Sequence, residues 1–162
     1  MELWDVYDYN RVATGKTVVR GQHMSQDEFH IVVHVWIRNS NNELLISRRT
    51  PNKPFPNMWE TVGGSAISGD DSLSAALREV KEEVGITLNP TCGKIIRHER
   101  RGHKDFPDFL DVWLFTHDID VAQLKLQHDE VSDAKWACKE EILKMIKEKT
   151  FIDNLSYIFE YI

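Results

Sequence analysis

Residues 64–86 impose the strongest constraint on this chain, because they combine a glycine-rich loop with a short, highly charged helix. At about 100° per residue, Glu79, Glu82 and Glu83 project from one side of that helix. The opposite side carries an apolar stripe at helical spacing, formed by Leu73, Ala76, Leu77, Val80 and Val84. The sequence therefore predicts a helix that is anchored by its apolar face and presents a cluster of carboxylates.

The carboxylate cluster indicates a bound divalent cation. Like charges this close repel one another and destabilise an isolated helix by roughly a few tenths of a kcal/mol per pair. Mg²⁺ prefers carboxylate and carbonyl oxygens and bridges to substrate phosphates. Arg78, four residues before Glu82, can brace a carboxylate or reach a phosphate with its planar guanidinium. A solvated helix face is the alternative for this charge run taken alone, and the flanking glycines favour the metal site.

The same segment resembles the Nudix box, a pattern of two glycines, an acidic residue, an Arg-Glu pair and a Glu-Glu pair at fixed spacing. The positions in register are Gly64, Arg78, Glu79, Val80, Glu82, Glu83, Gly85 and Ile86. So many fixed positions make the match specific. The resemblance implies an α/β fold, the Nudix α/β/α sandwich with a mixed central sheet. It also implies a hydrolase that cleaves a diphosphate linkage with Mg²⁺ or Mn²⁺.

The resemblance further implies roles for individual residues. Carried over to this chain, the metal ligands are the backbone carbonyl of Gly64 and the carboxylates of Glu79, Glu82 and Glu83. Arg78 is the expected electrostatic brace for these carboxylates. The general base is either Glu79 or Glu130, since both positions serve that purpose within the family. A solvated loop carboxylate is an equal alternative for Glu130, and the sequence does not decide which residue accepts the proton.

Asp70 departs from the family pattern, which has Glu at this position. The shorter side chain has two interpretations. It either replaces a residue that supports the metal site, with some loss of reach, or it caps the amino end of the helix, where Asp is the better residue. We favour the helix cap.

Three cations before the box are candidates for substrate binding. Arg48 and Arg49 end a strand, and only one of them can face the metal because consecutive strand residues point to opposite faces. Lys53 lies in the proline-rich loop that follows. Together they resemble cations that bind phosphates in the isopentenyl diphosphate isomerase branch of the superfamily. Solvation of surface side chains is the alternative for all three.

Two other functions are open. The amino-terminal half resembles the isomerase branch in architecture, but isomerases carry a Cys and a His where this chain has Gly63 and Ser65. A sensor that binds nucleotides without turnover would be expected to lack a box carboxylate, and all three glutamates are present. Both features favour hydrolysis of a nucleoside diphosphate or a related diphosphate compound.

The remaining sequence predicts one domain over residues 1–162, with residues 1–27 as an amino-terminal β-hairpin extension. Strands are expected on both sides of the box helix, with a second helix near Lys139–Lys147 and a helical pattern over residues 151–162. The net charge of −6 disfavours nucleic acid polymers and anionic membranes as partners. No apolar run suggests a bilayer span or a signal peptide, so a cytoplasmic location is expected. The expected partner is a small diphosphate compound, and a homodimer is left open.

Overall fold

A computed structural model describes residues 1–162. The strands are β1 (Leu3–Tyr7), β2 (Ala13–Val19), β3 (His30–Arg38), β4 (Leu44–Arg49), β5 (Trp59–Glu60), β6 (Val62–Ser65), β7 (Gly93–Arg101), β8 (Asp108–Thr116) and β9 (Val131–Ala137). The helices are α1 (Ser72–Val84) and α2 (Lys139–Lys147), with 3₁₀ helices at Pro90–Cys92, Val121–Gln123 and Asp153–Glu160. No helix is long and apolar enough to cross a membrane.

The central sheet is mixed, as the sequence predicts. β3 pairs in parallel with β8 along its whole length and antiparallel with β6 over Val32–Val35. Only the far end of β3 pairs with β4, through Arg38 and Leu44, and β4 in turn pairs with β5 and β9. β4 and β6 therefore diverge along the same edge of β3, which leaves room for a cleft beside β6.

Successive residues of β3 point to opposite faces of the sheet, and they contribute to two hydrophobic cores, one on each face. Ile31, Val33, Val35 and Ile37 pack against the apolar face of α1. Trp36, on the other face, belongs to a second core that includes residues of α2 and of the 3₁₀ helix Asp153–Glu160. The sheet is therefore covered by helices on both sides, which confirms the predicted three-layer arrangement.

The amino-terminal hairpin, β1 and β2, is also confirmed. Its inward face forms a small core of Trp4, Val6 and Met24. The carboxylate of Asp5 accepts hydrogen bonds from the Ser68 hydroxyl at 2.6 Å and from the Gly69 amide at 2.9 Å. These bonds attach the hairpin to the loop that precedes α1.

Two predicted elements differ in detail. The helical pattern at the carboxyl end forms a 3₁₀ helix over Asp153–Glu160, which begins without a side-chain cap. The strand region directly before the box helix is interrupted at Thr61, whose hydroxyl donates to the Val35 carbonyl at 2.7 Å. This side-chain bond to the neighbouring strand coincides with the boundary between β5 and β6.

Candidate active site

The helix α1 begins and ends at residues suited to those positions. The Asp71 side chain accepts a hydrogen bond from the Ser74 amide at 2.7 Å and so caps the amino end. Gly85 ends the helix with φ of 77°, the left-handed conformation that glycine adopts without strain. The face formed by Ala75, Ala76, Val80 and Val84 is fully buried. Packing of this face fixes the direction in which the helix presents its glutamates.

All three helix glutamates line one small cleft of about 90 Å³. None of its lining residues is apolar. They are Glu2, Arg20, Lys53, Gly63, Gly64, Ser65, Glu79, Glu82, Glu83, Gln127 and Glu130. We call this space the acidic cleft. It combines five carboxylates with two cations, so its negative charges outnumber the protein cations that could balance them.

Glu83 is the least compensated carboxylate of the acidic cleft. The residue is only 7% exposed, and its side chain forms no hydrogen bond or ion pair with the protein, whereas its backbone carbonyl accepts from the Gln127 amide at 2.9 Å. Burial raises its pKa well above the usual value, and the nearby charges of Glu79 and Glu60 raise it further. A buried carboxylate without a partner is costly unless a cation meets it. The oxygen-rich surroundings have the chemistry that Mg²⁺ or Mn²⁺ prefers, although no three of these carboxylates converge closely enough to form a ready metal site.

Glu79 lies against the backbone of Gly64. A methyl group at residue 64 would overlap the Glu79 carboxylate, so only glycine allows this approach. Burial raises the pKa of Glu79, while the adjacent Arg78 guanidinium acts in the opposite direction. Glu79 and the Gly64 backbone, two of the expected metal ligands, are therefore in direct contact.

Arg78 connects the helix to the preceding loop. Its Nη1 donates to Glu79 at 2.9 Å and to Glu82 at 3.2 Å, and its Nη2 donates to the Ser65 carbonyl at 3.1 Å. Its Nε donates to Asp70 at 2.9 Å. One guanidinium thus contacts two of the three helix glutamates and holds the loop that contains Gly64 close to them.

The interpretation of Asp70 as the helix cap is wrong. The next residue, Asp71, is the cap, and Asp70 accepts from Arg78 and lies outside the lining of the acidic cleft. Asp70 also lies near the Ile67 amide, at 3.4 Å. Asp70 and Asp71 are both residues typical of a helix cap, and Asp71, directly before the first helical turn, is the one that caps α1. Asp70 instead orients the arginine that contacts the glutamates.

Glu130 and Lys53 lie together at the rim of the acidic cleft. The Lys53 ammonium bonds the Glu130 carboxylate, and both side chains are partly exposed. The Thr50 amide donates to the Glu130 carbonyl at 3.3 Å, which ties the loop containing Lys53 to the segment before β9. The structure therefore brings these two candidates to the helix glutamates, although they come from distant parts of the chain.

The arginine pair lies outside the lining of the acidic cleft. Arg49 forms an ion pair with Glu60 at 2.7 Å and donates to the Pro54 carbonyl at 2.6 Å. Arg48 donates to the Asn57 carbonyl at 3.1 Å. Arg49 is connected to the site only through its ion pair with Glu60, whose charge raises the pKa of Glu83. Of the three candidate cations, Lys53 alone reaches the cleft.

Several residues of the site were missed by sequence reasoning. Glu2 and Arg20 reach the acidic cleft from the hairpin, where they form an ion pair at 2.6 Å, and Gln127 also lines the cleft. Glu60 is a half-buried carboxylate in a two-residue strand, and burial raises its pKa despite the pairing with Arg49. A charged residue between Trp59 and the box glycines was the one local signal that could have indicated Glu60.

Comparisons with known proteins agree with this geometry. The chain matches the NUDIX domain over residues 28–156. A Nudix hydrolase of Listeria monocytogenes is 40% identical over 156 residues, which cover 94% of this chain and 89% of that protein.

Two crystal structures share the fold. A Deinococcus radiodurans protein has a TM-score of 0.76 and 23% identity, and the match covers 97% of this chain and 96% of that one. A MutT protein of Methanosarcina mazei has a TM-score of 0.66 and 27% identity, covering 82% of this chain and 91% of that one.

The family match spans most of the chain and includes the entire acidic helix with its preceding glycine loop. Nudix hydrolases generally use divalent metals, in agreement with a cleft whose carboxylates lack enough protein cations. The chain therefore belongs to the Nudix hydrolase family, whose members hydrolyse nucleoside diphosphate derivatives.

Proposed function

We propose that this protein cleaves the diphosphate linkage of a nucleoside diphosphate or related compound, using Mg²⁺ or Mn²⁺. The observation that carries the proposal is Glu83, a buried carboxylate without a protein partner beside two further helix carboxylates. The residues that would hold the metal are the Gly64 carbonyl and the carboxylates of Glu79, Glu82 and Glu83. A divalent ion bound there would polarise a phosphoryl oxygen and lower the pKa of a water molecule.

The protein groups have separate tasks in the proposed reaction. Arg78 keeps Glu79 and Glu82 oriented through its hydrogen bonds. Lys53 lies at the cleft rim, where a substrate phosphate can replace part of its contact with Glu130. Arg48 and Arg49 remain predictions as substrate contacts, and their present hydrogen bonds suit a role in holding the loop around Lys53.

Proton transfer needs a carboxylate close to the attacking water. Water oxygen forms a bond to one phosphorus, the bond from that phosphorus to the bridging oxygen breaks, and the carboxylate accepts the proton of the water. The Glu79 side chain is 13% exposed and held by Arg78, whereas that of Glu130 is 39% exposed and can exchange Lys53 for water. Variants Glu79→Gln and Glu130→Gln separate these candidates, because the variant of the true base loses the acid limb of the pH–rate profile.

The alternatives receive less support. An isomerase of the related branch needs a thiol at residue 63, where a Cβ atom would lie 2.6 Å from the Val33 carbonyl oxygen. That backbone contact leaves no room for a cysteine unless β6 shifts. A sensor without turnover would be expected to lack a box carboxylate, and all three line the acidic cleft. A cytoplasmic location and a homodimer stay predictions.

The test is release of phosphate or nucleotide from a panel of compounds with and without Mg²⁺ or Mn²⁺. The panel contains nucleoside diphosphates and triphosphates, nucleotide sugars, dinucleoside polyphosphates and isopentenyl diphosphate. Metal-dependent cleavage of any diphosphate linkage is the expected result. Allylic isomerisation of isopentenyl diphosphate would support the isomerase, and tight metal-dependent binding without cleavage across the panel would support the sensor.

A further inference from the structure

The acidic cleft is too small to hold a whole nucleotide. Its volume of about 90 Å³ is well below the roughly 300–1,000 Å³ typical of small-molecule sites. It also lacks apolar residues, which such sites normally use to hold the organic part of a ligand. If the proposed function is correct, the acidic cleft takes the metal and phosphates, and the rest of the substrate lies elsewhere.

Two further cavities continue from the acidic cleft. Gly63 and Gly64 line both the acidic cleft and an adjoining cavity of about 210 Å³. His34 lines that cavity and also the next one, of about 340 Å³, which includes Tyr157. Gly63 and Gly64 have no side chains, so the acidic cleft and the first added cavity adjoin one another at β6, and the second added cavity adjoins the first at His34. We call this series of adjoining cavities, from the acidic cleft past Gly63 to Tyr157, the path. The two added cavities, of about 210 and 340 Å³, provide the volume that a nucleotide needs and that the acidic cleft lacks.

His34 occupies the middle of this path. It is the register partner of Gly63 on the neighbouring strand, and a Cβ atom at residue 63 would lie 3.3 Å from the Cδ2 atom of His34. The glycine therefore allows the imidazole to lie directly against β6, one residue from the Gly64 backbone. On the other side of the ring, Nδ1 lies 2.8 Å from the Tyr157 hydroxyl.

The hydrogen-bond network determines which ring nitrogen carries the proton. Trp36 Nε1, which can only donate, donates to the Tyr157 oxygen at 3.2 Å. The Tyr157 hydroxyl has one proton, and His34 Nδ1 is the one protein acceptor within hydrogen-bond distance of it. We assign this proton to the contact with His34, so that Nδ1 accepts and the ring proton lies on Nε2. Nε2 has no hydrogen-bond partner within the protein.

We propose that the nucleoside half of the substrate lies along this path and accepts a hydrogen bond from His34 Nε2. Tyr157 is the positioning residue, since its hydroxyl holds the imidazole in the donating tautomer. The cavity beside His34 also contains the Glu60 carboxylate, an acceptor, and the apolar side chains of Val32 and Leu155. A nucleoside matches this set because it presents acceptors, donors and flat apolar surface within one group.

The electrostatics of the path agree with an uncharged ligand group. Burial, with smaller contributions from the charges of Arg101 and Arg97, lowers the pKa of His34 to about 3. The imidazole is therefore neutral at physiological pH and acts as a hydrogen-bond donor without attracting anions. Arg97 and Arg101 themselves are paired with Glu99 and Asp108, at 2.7 Å in each case. The path thus lacks the free cations that a second phosphate group would require.

Binding of three probes, two nucleoside monophosphates and inorganic pyrophosphate, tests this assignment directly. Adenosine and cytidine monophosphates contain a nucleoside, whereas inorganic pyrophosphate does not, and each is titrated by calorimetry in the presence of Mg²⁺. His34→Asn should weaken binding of at least one nucleoside monophosphate by about 5- to 10-fold, the effect of one neutral hydrogen bond. Pyrophosphate binding should be unchanged. His34→Gln, which returns a donor near the position of Nε2, should restore most of the loss, and Tyr161→Phe on the exposed surface is the matched control.

Nitrogen-15 NMR of the imidazole tests the tautomer without relying on activity or on the stability of a His34 variant. The wild-type protein should show His34 protonated at Nε2, and the Nε2 signal should shift with the nucleoside monophosphate but not with pyrophosphate. Tyr157→Phe should produce a tautomer mixture and raise KM with little change in kcat. A proton on Nδ1 in the wild type, or equal responses to both probes, would overturn the assignment. If no substrate is cleaved, the proposed hydrolysis fails, while these binding measurements still decide the role of His34.

Discussion

Asp111 and Glu83 are both buried carboxylates, but their surroundings are opposite. Asp111, on β8, is completely buried and accepts hydrogen bonds from Arg11 Nη1 at 2.8 Å and from the His98 ring at 2.7 Å. Burial alone would raise its pKa, but the hydrogen bonds of Arg11 and His98 lower it below the usual value. Glu83 has no such partner, and its pKa is raised. The comparison separates a carboxylate that stabilises the fold from one that is available to a ligand.

Glu83→Gln should have the largest effect. Loss of several kcal/mol of charge stabilisation by the metal corresponds to an activity decrease of about 1,000-fold. Stability should change in the opposite direction, because the amide removes a buried charge at nearly constant volume. We expect a gain of roughly 1 kcal/mol in the free energy of unfolding of the metal-free protein at neutral pH, measured by urea denaturation.

The pH dependence of stability provides a second measurement on the same variant. The raised pKa of Glu83 means that the folded state binds this proton more tightly than the unfolded state. Metal-free wild type should therefore lose stability as the pH rises through that pKa, and Glu83→Gln should lack this part of the loss. Glu148→Gln, at an exposed ion pair beside α2, is the matched control. Full activity of the Glu83→Gln variant would show that Glu83 is not a metal ligand.

Asp111→Asn tests the other side of the comparison. The change leaves the Arg11 guanidinium without its carboxylate, and breaking a buried ion pair costs about 3 kcal/mol or more. We expect this loss in the free energy of unfolding by urea denaturation, with kcat unchanged at temperatures where the variant is folded. A large loss of kcat in the folded variant would show that Asp111 is coupled to the reaction.

The same two residues show how far sequence reasoning can reach. The helix α1 and its glutamates follow from a local period, so the three carboxylates and Arg78 were predicted together. The bond between Arg11 and Asp111 joins residues 100 positions apart, and no local pattern connects them. Glu60, Arg20 and Glu2 were missed for the same reason, because strand pairing brings Glu60 near Glu83 and hairpin docking places Arg20 and Glu2 in the lining of the acidic cleft.

Local signals also failed where two neighbouring residues offered the same chemistry. Asp70 and Asp71 both suit a helix cap, and only the backbone path decides which of them accepts from the Ser74 amide. His34 illustrates a further limit. Its position on a strand was predictable, but its tautomer depends on Tyr157, which lies 123 residues further along the chain. Element types were therefore easier to predict than the contacts between elements.

Gly64→Ala changes the surroundings of the carboxylate cluster without removing a charge. The added methyl group would displace the Glu79 carboxylate, and misplacement by about 1 Å can cost on the order of 100-fold in rate. We expect a decrease of roughly 10- to 100-fold in kcat, measured with the substrate found in the panel. Gly102→Ala is the matched control, because a Cβ atom there meets nothing within 4 Å. Equal activity of the two variants would show that the contact between Gly64 and Glu79 is unimportant for the reaction.

Asp70→Glu should have the smallest effect. Asp70 contacts Arg78 and lies outside the lining of the acidic cleft, so one extra methylene needs only to keep the bond to the Arg78 Nε atom. We expect kcat within about threefold of wild type and a change in the free energy of unfolding below roughly 0.5 kcal/mol. Asp71→Ala is the useful contrast, since loss of the cap should cost about 1 kcal/mol of stability without changing kcat. A many-fold rise in kcat for Asp70→Glu would mean that residue 70 acts on the cleft itself, and that holding Arg78 is not its main contribution.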